Sequence, residues 1–434
     1  MKRRFAWLLG LSLVANPALG QDAPTRPVET PRTPAPVVAA PAPVAEQSIL
    51  GEYFAAPVVT TPSVSFGVGL LQWWYKRDSI PSLLNTAVET NTLFAGTAND
   101  PTAVSLFGTS QYGYKTVPGI RANLEINLAD NIDFELGGFL MESQSLSQSF
   151  AGTNGRPFLT RPFYNPHDLV ESGFDTSSMS GISGNFNVSA DNQFYGYEAN
   201  IAWNTQIADN NIRKLIFGFR QVTLNENLSV TENVSANGPG FLAFYPSVDP
   251  NGVLVNANFD PATQSIRIID RFSARNQFYG PQAGAQWRWS KGPFSFDLTT
   301  KVAVGVNHES IRVGGTTSLL TGGAITATGA NGLLAVATNS GSYTSNELTV
   351  VPELGVRFNF DVTSHLKVNV GYNILYMSSA VRPGTQIDRR INPQFVPSDV
   401  AYNPNTSGPL LPRAFFRDTD FYAHGVSFGL VLSY

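Results

Sequence analysis

Counting back in twos from the C-terminus, Tyr434, Leu432, Leu430, Phe428, Val426 and Tyr422 share one face of an extended chain, interrupted only by His424. The other face carries Ser433, Gly429, Ser427, Gly425 and Ala423, with Val431 its one bulky aliphatic residue. A period of two means a strand with two chemically different sides. Such a strand, ending on an aromatic residue, fits the closing strand of a membrane barrel, whose apolar residues face lipid and whose small or polar residues face the lumen. The last strand of a soluble sandwich would alternate in the same way, so the rest of the chain has to decide.

The same pattern recurs from Val64 onward. Val64, Phe66, Val68 and Leu70 alternate with Ser65, Gly67 and Gly69, ahead of Trp73, Trp74 and Tyr75. Ile120 to Leu128 alternates with Arg121, Asn123, Glu125 and Asn127, turns at Ala129-Asp130-Asn131, and resumes as Ile132, Phe134 and Leu136 against Asp133 and Glu135. Three more hairpins follow. Tyr195 to Trp203 returns through Leu215, Phe217 and Phe219 after a turn spanning 206–213; Ala283 to Trp289 turns at Ser290-Lys291-Gly292 and returns through Phe294 to Val306; Leu348 to Phe360 turns over 361–365 and returns through Leu366 to Tyr376. Short turns bounded by alternating runs predict hairpins. The remaining connections, 76–110, 143–190, 225–275, 309–345 and 377–419, are long, and 309–345 reads as a flexible Gly/Thr/Ala/Ser segment.

Long loops alternating with short turns, long outside and short in the periplasm, are the outer-membrane arrangement. The predicted fold is an all-β transmembrane antiparallel barrel of about ten strands, or twelve if a further pair lies within the long loops. Aromatic residues supply a separate argument. Trp73, Trp74, Tyr195, Tyr197, Tyr279, Tyr376 and Tyr422 sit where strands meet long loops, and Trp203, Trp287, Trp289, Phe294, Phe358, Phe360 and Tyr434 sit near the short turns. That separation predicts two girdles, one per membrane interface.

Composition fits this fold. Charged residues make up 14% of the 434, against about 25% for soluble domains. Mean hydropathy is nonetheless near zero, at -0.06, as expected when each lipid-facing residue alternates with a polar one. No run beyond the N-terminus is long and apolar enough for a spanning helix. Lys2, Arg3 and Arg4, the apolar run Phe5 to Ala15 and the small-residue site Ala18-Leu19-Gly20 predict a signal peptide over 1–20. Residues 21–62, dense in proline, predict an extended periplasmic linker, and 63–434 the barrel. With no cysteine in the chain, disulfides, thiolate metal sites and a lipoprotein anchor are excluded.

Several stretches, in this order, resemble the outer-membrane porins of beta-barrel porin family seven: LLQWWYKRDSIPSLLNT (70–86), NGRPFLTRPFYN (154–165), DRFSARNQFYGPQAGAQWRW (270–289), KVAVGVNHESIRVGGTT (301–317), VVPELGV (350–356), VGYNILYMSSAVRPGTQIDRRINP (370–393) and FRDTDFYAHGVSFGLVLSY (416–434). The resemblance implies an outer-membrane barrel with a pore. It brings no catalytic or ligand residues with it.

The inward phase predicts the lumen: Arg121, Glu125, Asp133, Glu135, Glu198, Arg220, Arg288, Asp297, Lys301, Glu353, Arg357 and Lys367. Both signs occur in nearly equal number. Opposed charges in a narrow barrel either line a thin hydrated path or plug it. The leading expectation is therefore a porin-like barrel passing small hydrophilic solutes, and the alternative a closed structural or adhesive barrel acting through its loops.

Little points to catalysis. His167, His308, His365 and His424 lie far apart in sequence, at no metal-ligand spacing. His308, Glu309 and Ser310 are the one trio to weigh for hydrolysis, yet neighbours on a strand point to opposite faces. Asp418 and Asp420 share a face, with a divalent ion or nearby arginines as candidate partners. Arginines within 154–165 and 382–390 are read as rim ion pairs or contacts for lipid phosphates or anionic solutes. No enzyme activity, cofactor or metal is expected, nor nucleic acid; the expected partners are outer-membrane lipids, barrel-insertion machinery and small polar solutes.

Overall fold

The computed structural model describes residues 64–88, 94–109, 113–208, 211–236, 247–248, 254–255, 260, 262–403, 405 and 408–434. The signal peptide and proline-rich linker expected over 1–62 lie outside the described residues. Ten strands form the barrel: β1 Val64–Tyr75, β2 Val117–Ala129, β3 Ile132–Met141, β4 Ile182–Ala208, β5 Asn211–Ala236, β6 Gln264–Lys291, β7 Phe294–Thr321, β8 Gly341–Asp361, β9 Leu366–Val381 and β10 Asp418–Ser433. Each pairs antiparallel with the next, and β10 returns to β1 from Ser65↔Ser433 to Tyr75↔Ala423, which closes the ring. The ring has ten strands and not twelve, because the further strands Gln144–Thr153 and Ala324–Ala330 pair along the edges of β4 and β7 without entering it.

The ring turns its apolar residues outward. Leu70, Phe217, Val304, Leu348, Phe358 and Phe428 are all exposed on its outer face, which only a nonpolar surrounding makes favourable over so large an area. The turns follow from local chemistry. Asp130-Asn131 joins β2 to β3, and Gly292, at φ 60°, opens the two-residue link to β7 with no atom near its missing Cβ.

The long connections are shorter than the sequence suggests, because β4 to β7 continue well past the apolar belt. On β6 the inward phase runs Arg288, Gln286, Gln282, Phe278, Asn276, Ala274, Phe272, Asp270, Ile268 and Ile266 without a break, while the outward phase changes from Trp289, Trp287 and Tyr279 to Gln277, Arg275 and Arg271. Polarity inverts while the phase stays constant. Below that level lipid takes the apolar side chains, and above it the interior does, so the outer half of the barrel folds like a soluble sheet.

What fills the outer half is a four-stranded insert, Val104–Phe107, Leu84–Thr86, Leu159–Asn165 and Val170–Ser177 in that spatial order. Leu84, Phe107, Leu159, Phe163 and Phe174 pack with Phe186, Val230, Ile268, Phe272 and Ile311 from the inward faces of β4 to β7 in one buried core. The segment expected to be a flexible loop at 309–345 is ordered. It completes β7, turns at Gly322-Gly323 into Ala324–Ala330, and closes in a tight turn where the Asn339 side chain accepts from Val336 N at 2.8 Å and donates to Leu334 O at 2.8 Å.

Sidedness is directly testable. Gly322, at φ 59°, and Gly292 both face open space, so epitope tags there should leave folding intact. A tag after Gly322 should bind antibody on intact cells, and one after Gly292 only after permeabilisation; the opposite labelling would invert the barrel.

Candidate functional site: the lumen and its septum

The twelve predicted lumen residues all lie on the inward phase, and most of them meet. Glu198 accepts from Lys301, from both Nε (3.1 Å) and Nη2 of Arg220, and from Gln282 at 3.1 Å. Arg220 also bridges to Glu353, which receives Arg121 Nη2 at 3.3 Å. Arg121 in turn donates to Asn373 at 3.1 Å. A second group surrounds Lys214, whose ammonium contacts Glu125, Asp133 at 2.8 Å and Glu135 at 3.7 Å. A third is the fork of Arg288 on Asp297, at 2.6 and 3.0 Å, with Asn359 adding 3.2 Å. Lys367 reaches Asp361 at 3.3 Å near the inner end. Arg357 makes no ion pair or hydrogen bond among the described residues but is the register partner of Asp297, whose carboxylate attracts it across the strand pair. Burying charges in one lumen costs several kcal/mol each unless every charge finds partners, and the pairing across five or more strands supplies them.

Lys214 was not singled out from sequence. It precedes Leu215, the first apolar outward residue of β5, so the period of two places it inward; the expected turn over 206–213 hid it. Strand runs to Ala208 and resumes at Asn211, within the span expected to be turn.

These groups border a cavity of about 230 Å³. Its wall is polar, including Ser65, Asn123, Asn200, Gln286 and Ser433 besides Arg357 and Lys367. Toward the outside it ends at an apolar layer. Leu71 and Trp73 from β1, Val117, Met141, Phe194, Val222 and Leu224, Phe278, Ala303, Val351, Leu375 and Met377, and Phe421 and Ala423 form one buried cluster to which all ten strands contribute. Phe194 is its hub, with ring centroids 6.2 Å from Trp73, 5.7 Å from Tyr75, 5.0 Å from Phe139 and 5.2 Å from Phe421. Guanidinium groups flank it, Arg121 at 5.8 Å from the Trp73 ring and Arg382 at 5.5 Å from Phe421. The lumen is thus crossed by an apolar septum.

Trp73 therefore leaves the girdle to which its sequence position assigned it. It points inward and is 0% exposed, because β1 is in the inward phase at odd positions and Trp74 takes the outward one. Trp74 stacks on His424 at 5.8 Å, and His424 Nδ1 shares a hydrogen bond of 2.6 Å with Tyr372. Tyr195, Tyr197, Tyr376 and Tyr422 face outward at the outer edge of the apolar belt, and Trp203, Trp287, Trp289 and Tyr434 lie near the turn ends. No sequence signal beyond phase marks the septum, but phase alone would show it, as an apolar inward residue at the outer edge of the belt on every strand.

Above the septum the insert is bolted to the wall by buried charge. Arg161, 2% exposed, holds Glu232 at 3.2 Å and Asp270 at 2.8 Å. Asp270 also accepts from the amides of Leu333, Leu334 and Ala335 at 3.0, 2.9 and 2.9 Å. A Cβ at Gly332 would overlap that carboxylate, so glycine allows the approach. Arg382 forks onto Glu226 at 2.7 and 2.6 Å and donates to Lys76 O at 2.9 Å. Beside it, burial pushes Asp78 up to about 6, against the pull of Arg382. These arginines of the outer segments are internal ties, as is Arg389 on Glu171 at 3.0 Å.

The other candidates separate. His308 faces outward and pairs with Asn346 Oδ1 at 2.8 Å, whereas Glu309 points inward to Asn307 at 3.0 Å and Ser379 at 3.2 Å. Burial, then Asp418, pushes Glu309 up to about 7. Asp420 is taken by Lys76, a partner the sequence did not suggest. Among the described residues no cluster of histidine and acidic side chains has metal-binding geometry.

A match to a known family agrees with this architecture. A family model described as "Putative beta barrel porin-7" matches residues 66–243 and 247–434. The chain belongs to this family. Its porin-7 barrel, with the apolar belt described above, is a protein of the cell outer membrane. Similar solved structures include the outer membrane protease OmpT from Escherichia coli, at 10% identity and TM-score 0.37, covering 86% of this chain and 97% of that one. A Pseudomonas aeruginosa FadL homologue matches at 8% identity and TM-score 0.21, over 89% and 94% of the two chains, and the P. putida toluene transporter TodX at 7% and 0.16, over 88% and 93%. No curated protein matches the sequence.

Proposed function

We propose that this porin-7 barrel passes small hydrophilic solutes and is shut, in the conformation described, by the apolar septum. The observation that carries the reading is the polar cavity of about 230 Å³ with charges of both signs on its wall. A purely structural barrel gains nothing from such a wall, since apolar filling of equal volume is often as stable or more so. Solutes would enter the cavity, and transit requires Phe194 and its neighbours to move. Lipids would meet the belt, and barrel-insertion machinery would place the chain in the membrane. No catalytic step is part of this reading.

A second reading, a closed barrel acting through its outer surface, is favoured by the same septum together with the buried ties of the insert. Conductance separates the two. In planar bilayers the wild-type barrel should show brief, rare openings, and the Phe194→Ser/Phe421→Ser variant long stepwise currents, because two central rings of the septum are gone. Heat-modifiable gel mobility checks that both are folded. Folded but silent barrels in both cases would favour the closed reading.

A further inference from the structure

We propose that the outward face of β6 and β7, just above the apolar belt, binds the phosphate groups of an anionic outer-leaflet lipid, with Arg312 seated between Arg275 and Arg271. The proposal rests on register and exposure. Arg271, Arg275 and Arg312 are outward and exposed, and none has an ion pair or hydrogen bond among the described residues. Arg275 lies opposite Ser310 and Arg271 opposite Gly314, which puts Arg312 diagonal to both. Diagonal neighbours on one face are about 7–8 Å apart, a spacing at which two guanidinium forks can share one phosphate.

This concentration is local. Between Ser183 and Gln193 on β4, between Asn225 and Ser235 on β5, and between Ser342 and Asn346 on β8, no outward position is lysine or arginine. Like charges placed side by side repel, and the outward carboxylate on the flanking strands, Asp191 of β4, lies two strands away and accepts from Asn227 at 2.7 Å. A site built to meet anions explains the grouping; a face built only to meet water would be served by the Asn, Ser and Thr used on the neighbouring strands.

Height fits a lipid headgroup. The belt ends outward at Tyr279 on β6 and Val306 on β7, which are register partners. A tilted strand climbs roughly 2.6 Å per residue along the membrane normal. Arg275 is then about 10 Å, Arg312 about 16 Å and Arg271 about 21 Å above the belt edge, so Arg275 and Arg312 are the pair nearest the headgroups, toward which a long arginine side chain can bend back. Between Arg312 and Arg271 the wall is bare, since a Cβ at Gly314 would meet nothing within 4 Å. That opening gives a phosphate access to the backbone surface between the two side chains.

The test uses the folded mature chain in detergent, titrated with diphosphorylated lipid A and with its dephosphorylated form, and read by native mass spectrometry. Wild type should retain the phosphorylated lipid preferentially. Arg275→Gln/Arg312→Gln should bind it about thirtyfold more weakly, the loss expected for two arginines near a membrane surface, with no change for the dephosphorylated lipid. Gly314→Glu, which keeps every arginine but puts a carboxylate into the open space, should weaken binding in the same direction. Equal retention by wild type and both variants, all folded by gel mobility, would overturn the site. Discrimination by the variants for inorganic phosphate alone, and not for the lipid, would overturn the lipid assignment.

Discussion

Arg161→Met should free the mouth insert from the barrel wall while leaving the membrane part folded. The guanidinium is the one cation that Glu232 and Asp270 share in ion pairs, and both carboxylates are 0% exposed. Removing one partner of a buried cluster costs about 3–5 kcal/mol, chiefly through the charges left without a counterion. Asp270 retains three backbone amides, so most of the loss should fall on Glu232 and on the Leu159–Asn165 strand that carries position 161. Local openings then become more frequent in proportion. Hydrogen exchange should show amides of Leu159–Asn165 and Val170–Ser177 exchanging about a hundredfold faster or more, with amides of β8 and β9 unchanged. Arg161→Lys keeps the charge but loses the fork, and should fall between. An unchanged exchange pattern in Arg161→Met would mean that the apolar core alone holds the insert in place.

The membrane part of this fold was legible because lipid imposes a simple rule. Outward residues such as Phe217, Val304 and Phe428 must be apolar at every second position, and the four short turns between paired runs can be read directly. The outer half was not legible by that rule. Once β4 to β7 leave the belt, Arg275 and Gln277 replace apolar residues outside while Phe272 and Ile268 replace polar ones inside, so a reader following lipid-facing residues stops at Tyr279. The charged lumen residues were read from phase alone. Their connectivity could not be, since pairs such as Lys301 with Glu198 or Arg220 with Glu353 join strands that are not neighbours in sequence. Trp73 shows a second limit. A tryptophan near a strand end suits an interfacial girdle and an interior layer equally, and only the count of residues from Leu70 distinguishes them.

Phase is also what a pair of adjacent substitutions can test. Val302 and Lys301 are neighbours on β7, Val302 outward and 46% exposed in the middle of the belt, Lys301 inward with its side chain on Glu198. Val302 sits between Ala283 and Pro352, neither of which could pair with a cation. Arginine there must hold its charge in hydrocarbon, so Val302→Arg should destabilise the barrel by about 2–4 kcal/mol, the penalty at a bilayer midplane. Lys301→Val removes one of two cations on Glu198, which keeps Arg220 and Gln282. That loss should cost about 1.5–3 kcal/mol without preventing folding, and shift any ion selectivity toward cations by leaving the carboxylate less compensated. Urea-dependent folding into liposomes, followed by gel mobility, measures both. If Lys301→Val prevented folding while Val302→Arg had no effect, the faces would be exchanged, and the lumen, the septum and the outward arginines would all have to be reassigned together.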